Sequence, residues 1–466
     1  MKNEHKEPSL LLALVPGALL VGILAYAVPV LEVAPHIPII LAGVVAVSIG
    51  LWLGYDWKSL QEGMVKGISI AIPAVLILLA IGILIGVWLA SGVVPLLIVY
   101  GLRLLSPEVF LAAACIICAV VSIATGSSWT TASTIGVALI GVGDGLEISK
   151  AMTAGAIVSG SYFGDKLSPL SDTTNLAAAV AEVPLFTHIR HMLWTTVPSM
   201  VIALVIYAVL GMSASGEGNP EKVTLLVDTI EAHFNLTPVL LLAPLSVILC
   251  LVFKMPALPA ILIGAATGAL LGLTVQGMGI AELYTALQTG YNSGSGVESL
   301  DELLSRGGLE SMFWTIGIVV CAMAFGGVME CTGMLAAIGR AIMRFAVTTG
   351  RMVASTLATC LGMNLVTSDQ YLAIVLPGRM YKNAYREAGL DPKNLSRCLE
   401  DAGTLTSPLI PWNTCGATML GALGVNPFLF APYAFFNLLC PLVSAVFGFT
   451  GWTMKKAVEG EEESGS

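Results

Sequence analysis

Residues 165–175 read DKLSPLSDTTN, and they interrupt one of the most apolar regions of the chain. Two carboxylates, a Lys, four hydroxyls, a Pro and an Asn fall within eleven residues, between AMTAGAIVSGSYFG (151–164) and LAAAVA (176–181), both of which read as buried helix. Backbone of this polarity at membrane depth is tolerated only where protein buries it or where it lines a cavity. An ionisable side chain there marks an ion or solute pathway.

The surroundings make membrane depth the natural setting. Of 466 residues, 56% are hydrophobic and 11% charged, which excludes a disordered chain and argues against an ordinary soluble enzyme. The lipid bilayer is thus the first expected partner, and no nucleic acid is expected. The net charge of −9 lies mostly in loops and in the EGEEES tail. Cys115-x-x-Cys118 has no second pair or His cluster beside it, so the cysteines read as small core residues. No GxxxxGK[ST], HExxH or GxSxG occurs, so neither an ATP-driven pump nor an enzyme is expected, and no cofactor. GVGDG (141–145) reads as a loop. Ala25-x-Ala27 is a formal signal-peptidase pattern, but further spans follow, and the first segment reads as an uncleaved span.

Apolar spans fall near 10–29, 36–54, 67–90, 192–212, 236–253, 256–276, 311–331 and 428–450, with longer interrupted stretches at 107–142, 150–180, 352–378 and 396–425. Their order repeats. GVWLASG (86–92) faces GVMECTG (327–333) at an offset of 241, Ser127 and Ser128 face Thr367 and Ser368 at 240, and Ser168-Pro169-Leu170 faces Ser407-Pro408-Leu409 at 239. This predicts a first repeat over 1–212, an extracellular linker over 213–235, a second repeat over 236–450 and a cytoplasmic tail over 451–466. Basic residues cluster at 379–397 and at Arg340, Arg344 and Arg351, which places both flanks of 352–378 in the cytoplasm. That segment is then a re-entrant hairpin with its tip at 364–370. Its counterpart, 107–142, enters from outside with its tip at 126–131. The short segments 93–104 and 334–347 read as helices lying on the membrane surface. Stretches 150–180 and 396–425 become broken helices, unwound at Pro169 and Pro408, and both termini fall in the cytoplasm. The expected fold is an all-α polytopic membrane protein of two inverted-topology repeats, each with a re-entrant hairpin and a broken transmembrane helix.

Where two tips meet two breaks, hard oxygen ligands suited to Na+ converge with carboxylates that bind a proton or a cation but not both easily. Asp172, Asp165 and Asp369 are the candidates for proton and cation exchange. Asp172 and Asp369 also suit helix N-caps, and Asp165 an ion pair with Lys166. Ser127, Ser128, Ser168, Thr173, Thr174, Asn175, Thr367, Ser368, Ser407, Asn413 and Thr414 are candidate cation or substrate ligands, or plain caps of the broken ends. Asp172, Asn175 and Asn413 form a candidate Na+ set. Glu400 and Asp401 read as acids favouring a helix start. His188 and His191 read as residues of an inside loop, and Glu330 as a buried proton carrier or a neighbour of Arg340.

The runs ATGSSWTTASTIGVALIG (124–141), GSYFGDKLSPLSDTTNLAAA (160–179), TSDQYLAIVLPGRMY (367–381) and LEDAGTLTSPLIPWNTCGA (399–417) closely resemble the NhaC family of Na+/H+ antiporters. The resemblance covers nearly the whole chain. It implies a secondary active transporter of the bacterial inner membrane that exchanges Na+ for H+ by alternating access. It carries over Asp165, Ser168, Asp172, Thr173 and Asn175, then Asn413 and Thr414, and the tip residues Ser127, Ser128, Thr367, Ser368 and Asp369. Some members of that family resemble malate/lactate exchangers, so malate or lactate stands as an alternative partner. With no Arg expected in the core, and Lys166 the one candidate Lys, simple cation exchange is favoured over anion binding. A homodimer is a further expectation.

Overall fold

The computed structural model describes residues 6–31, 34–214 and 220–457. Among them helices carry most of the chain, and the one extended pairing is an isolated bridge between Leu390 and Lys456. Five helices are long and apolar enough to cross a membrane: Trp57–Ala90, Pro107–Thr125, Leu185–Ser213, Ala257–Thr274 and Leu309–Cys331. Two pairs of helices bent by 93° and 89° pass the same test only when each is taken together, Val223–His233 with Pro238–Val252 and Thr414–Leu423 with Pro427–Tyr433. Val197, Val201, Val205 and Val209 form an exposed row four residues apart. Such a face is stable against lipid rather than water.

Small residues bring the inner helices together. A Cβ on Gly160 or Gly164 would strike the carbonyls of Cys115 and Ala119, so helix Lys150–Leu167 lies directly on the backbone of Pro107–Thr125. Gly67 and Gly327 do the same between Trp57–Ala90 and Phe313–Cys331. Close approach through small residues is how helices associate where lipid supplies no hydrophobic drive.

The same succession of elements occurs twice. A long helix ends at a left-handed glycine, Gly92 (φ 78) or Gly333 (φ 75), and a short helix follows, Val93–Leu104 or Met334–Met343. A helical hairpin and a broken helix come next. In the second hairpin, Thr359 Oγ1 meets Tyr381 OH at 2.9 Å and Thr356 Oγ1 meets Tyr385 OH at 3.2 Å, so Thr349–Thr367 and Gln370–Glu387 run antiparallel. In the first, Phe110 lies against Gly143, which closes Pro107–Thr125 onto the arm that runs from Ser128 to Gly145.

Several expectations change. GVGDG is the helical end of the first hairpin, since Val137–Gly145 continues through it. Its glycines serve packing, Gly143 against Phe110 and Thr153. The short helix Val93–Leu104 buries seven residues, from Val93 to Leu102, more than a helix lying on a surface would. The expected linker contains a helix, Pro220–His233, and residues 215–219 of it lie outside the described residues, as does most of the acidic tail. The span expected over 428–450 splits, because Asn426 caps a short helix at Pro427 and the last helix starts only at Phe435.

Candidate functional site

The first hairpin turns at Gly126 (φ 68), where a Cβ would sit 2.6 Å from that of Leu170 and 2.9 Å from Ser171 N. The turn therefore requires glycine twice over, for its backbone and for its contact with the first broken helix. Ser127 then caps the return arm by accepting from Thr130 N at 3.2 Å. The next residue, Ser128, donates to Asp165 Oδ2 through both Oγ (2.6 Å) and N (3.2 Å). Asp165 is 4% exposed, and its second oxygen, Oδ1, has no hydrogen-bond partner.

Helix Lys150–Leu167 stops two residues after Asp165, and Asp172–Ala181 begins five residues later. Ser168 closes the first half, and its Oγ accepts from Leu170 N at 3.2 Å. Ser171, not Asp172, caps the second half, accepting from Thr174 N at 3.3 Å. The Thr174 hydroxyl bridges the gap by donating to Lys166 O at 3.1 Å. Asn175 points outward and spends its amide on Pro169 O and Ser171 O.

A cavity of about 630 Å³ opens over this junction. Its wall includes Asp165, Asp172, Asp369, Ser127 and Ser128, together with Gln370 and Tyr371 of the second hairpin. Asp172 is exposed there and accepts a short hydrogen bond from Tyr371 OH. Lys254 is the one basic side chain on that wall.

The second tip repeats the backbone of the first. Ser368 is left-handed (φ 61), and Asp369 caps the return arm by accepting from Leu372 N at 3.0 Å. Ser368 O accepts from Thr414 N at 2.9 Å, which ties the tip to the second broken helix. Asn413 caps Thr414–Leu423 with its Oδ1 and donates to Asn364 Oδ1 at 3.0 Å, and Asn364 in turn donates to Gly403 O at 2.7 Å. Thr367 and Ser407 donate into their own helical turns, to Met363 O and Thr404 O.

The shared caps align the two sets of elements in a different register from the one the residue matches suggest. Gly126, Ser127 and Ser171 correspond to Ser368, Asp369 and Asn413, each at an offset of 242. The residue standing opposite Asp172 is Thr414, not the Pro411 that the offset of 239 at Ser168-Pro169-Leu170 implies, because the second break is longer and holds an extra 3-10 turn at Ser407–Leu409. Of the candidate Na+ set, Asp172 lies on the cavity wall, whereas Asn175 and Asn413 do not.

Behind the cavity lies a buried charged cluster that the sequence did not announce. Lys166 is fully buried in a short ion pair with Asp401, which also accepts from Thr195 Oγ1 at 3.0 Å. Arg397 is fully buried too, its Nε 3.8 Å from Asp401 Oδ2 and its other nitrogens bonded to Thr453 and Met454. An Arg therefore does lie in the core. His188 and His191 are likewise buried, on helix Leu185–Ala214 rather than in a loop, and His188 Nδ1 meets Ser396 Oγ at 2.7 Å. Glu330 pairs with Lys66 at 3.1 Å, while Arg340 pairs with Glu7. Tyr371, Ser171 and Asn364 were also missing from the candidates. The position of Ser171 just before a new helix was the available signal.

Paired hairpins, paired helix breaks and an acid-lined cavity among membrane-length helices define a multi-pass membrane transporter. The chain belongs to the Na+/H+ antiporter family, whose model matches residues 160–452. The Na(+)/H(+) antiporter NhaC of Alkalihalophilus pseudofirmus is 41% identical over 423 residues, 91% of this chain and 91% of its own length. The arginine/ornithine antiporter ArcD of Halobacterium salinarum is 40% identical, covering 99% of this chain and 96% of its own. The malate-2H(+)/Na(+)-lactate antiporter of Bacillus subtilis is 36% identical, covering 99% of this chain and 100% of its own.

Proposed function

We propose that this chain exchanges Na+ for H+ across the bacterial plasma membrane by alternating access, with Asp165 as the carboxylate for which both ions compete. The observation that carries the reading is the placement of Asp165. It is buried at the foot of the cavity, held by Ser128 through one oxygen and left with a free oxygen on the other. A carboxylate so placed is neutralised either by a proton or by Na+, and neighbouring hydroxyl and carbonyl oxygens are the hard ligands Na+ requires. The tip of each hairpin seats on the broken helix of its own half. We infer an inverted pair of halves, over 1–212 and 236–450, that rock about this point with both termini in the cytoplasm.

The wall composition argues against the malate or lactate alternative. Three carboxylates face the cavity and one exposed Lys254 answers them, whereas an organic dianion calls for a surplus of cationic donors. The volume is nevertheless larger than an ion needs and lies within the usual small-molecule range of roughly 300–1,000 Å³. Transport assays should therefore include organic cations.

The test is proteoliposomes loaded with a pH dye and challenged in turn with Na+, K+, arginine, ornithine, malate and lactate. Saturable, Na+-driven proton movement without organic counterflow is expected. Counterflow of an organic solute with no response to Na+ alone would discard the reading.

A further inference from the structure

A second cavity shares no lining residue with the acid-lined one. It is a groove of about 400 Å³ bounded by three helices, Leu10–Leu31, Met334–Met343 and Thr349–Thr367. The first helix contributes Leu14 and Val21, both exposed. The short helix contributes Leu335, Ile338 and Ile342, which recur on one of its faces. The third wall is the first arm of the second hairpin. Gly362 leaves a gap there, for a Cβ added to it would meet nothing within 4 Å. The first helix and the hairpin arm touch where a Cβ on Gly17 would lie 3.4 Å from Val366.

The groove offers a ligand nothing polar. Thr359 supplies the one side-chain hydroxyl of its lining, and that hydroxyl donates to Ser355 O at 2.7 Å and meets Tyr381 OH at 2.9 Å. A site for a polar solute orients it with a few convergent polar groups. Without them, and with its rim exposed among membrane-length helices, the groove suits a lipid acyl chain. The charge at one end selects the lipid. Arg344 stands two residues past Ile342, at the end of Met334–Met343. Arg351 precedes Thr359, Gly362 and Val366 by 8, 11 and 15 residues, which puts all four on one face of Thr349–Thr367. The helical rise sets Arg351 about 12 Å from Thr359 along that face. Both arginines are exposed, and neither has an ion-pair partner among the described residues, whereas Arg340 is answered by Glu7. The stretch 331–368 contains no acid to oppose an anion. Basic side chains at the end of an interhelical groove favour an anionic headgroup.

We propose that this groove binds one anionic phospholipid, its acyl chain laid between the first helix and the second hairpin and its phosphate held by Arg344 and Arg351. The seated chain packs on Met363 and Val366, and so braces the arm whose Asn364 meets Asn413. The site does not depend on which ion the acid-lined cavity carries.

The experiment reconstitutes the full chain in phosphatidylcholine nanodiscs doped with phosphatidylglycerol that bears a photoreactive acyl chain, and maps the adducts by mass spectrometry. Adducts are expected on the three groove helices, competed by unlabelled phosphatidylglycerol and not by phosphatidylcholine. Gly362→Leu fills the gap without striking protein, so groove adducts should fall at least about fivefold while those on the Val197–Val209 face persist. Arg344→Gln with Arg351→Gln should keep chain labelling in the groove but reduce the preference for phosphatidylglycerol at least about fivefold. Groove adducts undiminished in Gly362→Leu overturn the proposal, as does crosslinking of these residues to a second copy of the chain. Wild-type labelling that both lipids compete equally overturns it too, even if Gly362→Leu does not fold.

Discussion

At the first tip the cap is a hydroxyl, Ser127, and the carboxylate stands across the gap on the neighbouring helix as Asp165. At the second tip the carboxylate, Asp369, is itself the cap, with one oxygen committed to Leu372 N. Behind the second tip, Asn364 and Asn413 bond to each other and to backbone, so that junction is closed by amides. The two tips carry turn and cap at matching positions, yet of Asp165 and Asp369 only Asp165 keeps a buried oxygen without a hydrogen-bond partner. Two tips alike in their turns thus differ in their chemistry. The first junction is suited to exchanging charge, and the second to latching a hairpin in place.

The largest expected effect concerns the pair that joins the halves. Lys166→Met leaves Asp401 with only the longer contact to Arg397 and the Thr195 hydroxyl in the core, which should destabilise the protein by about 3 kcal/mol. Lys166→Met combined with Asp401→Leu should recover only part of that loss in a thermal melt, since Arg397 then loses its carboxylate. A single variant as stable as wild type would show that the two breaks are not tied through this pair.

A smaller effect separates latch from ion site. Asn413→Ala should cost about 1–3 kcal/mol through the unsatisfied Asn364, while apparent Na+ affinity stays within a few-fold. If Na+ affinity collapses instead, the second junction also holds the ion and the division drawn here is wrong. Asp172 offers a milder contrast with Asp165. It is exposed and held by Tyr371, so Asp172→Asn should shift apparent Na+ affinity by roughly tenfold or less and leave exchange intact.

The breaks and tips were legible because polar residues, Pro and Gly stand out in apolar sequence. Pro169, Pro408 and Gly126 mark three of them directly. The register was not legible, since a residue match such as Ser168 with Ser407 ignores the longer second break, and only the caps reveal it. Burial of charge was also invisible. Arg397 is in the core because Asp401, one turn on, and Thr453 and Met454 receive it, and the last two lie on a segment that the sequence cannot bring to it. Asp172 and Asp165 looked equivalent in one polar run, and a single helix start separates them. Ser171 takes the cap, which turns Asp172 out to the cavity and leaves Asp165 buried behind it.

The smallest effect lies at the surface. Glu182 bonds Lys382 and also Arg386, linking the end of the first broken helix to the second hairpin, and these cations hold its carboxylate below the usual range. Its contribution is present above the ordinary glutamate value and is lost as pH falls through the lowered one. Glu182→Gln should slightly flatten the acid limb of the melting-temperature profile, and high salt should do the same to wild type.

The comparison of the two junctions is tested most directly by Na+-driven proton movement in proteoliposomes of Asp165→Asn and Asp369→Asn, measured side by side. Asn keeps the cap at 369, so that variant should retain exchange within roughly threefold of wild type. Asp165→Asn, folded and reconstituted equally well, should show none. Exchange that survives in Asp165→Asn and vanishes in Asp369→Asn would contradict the account.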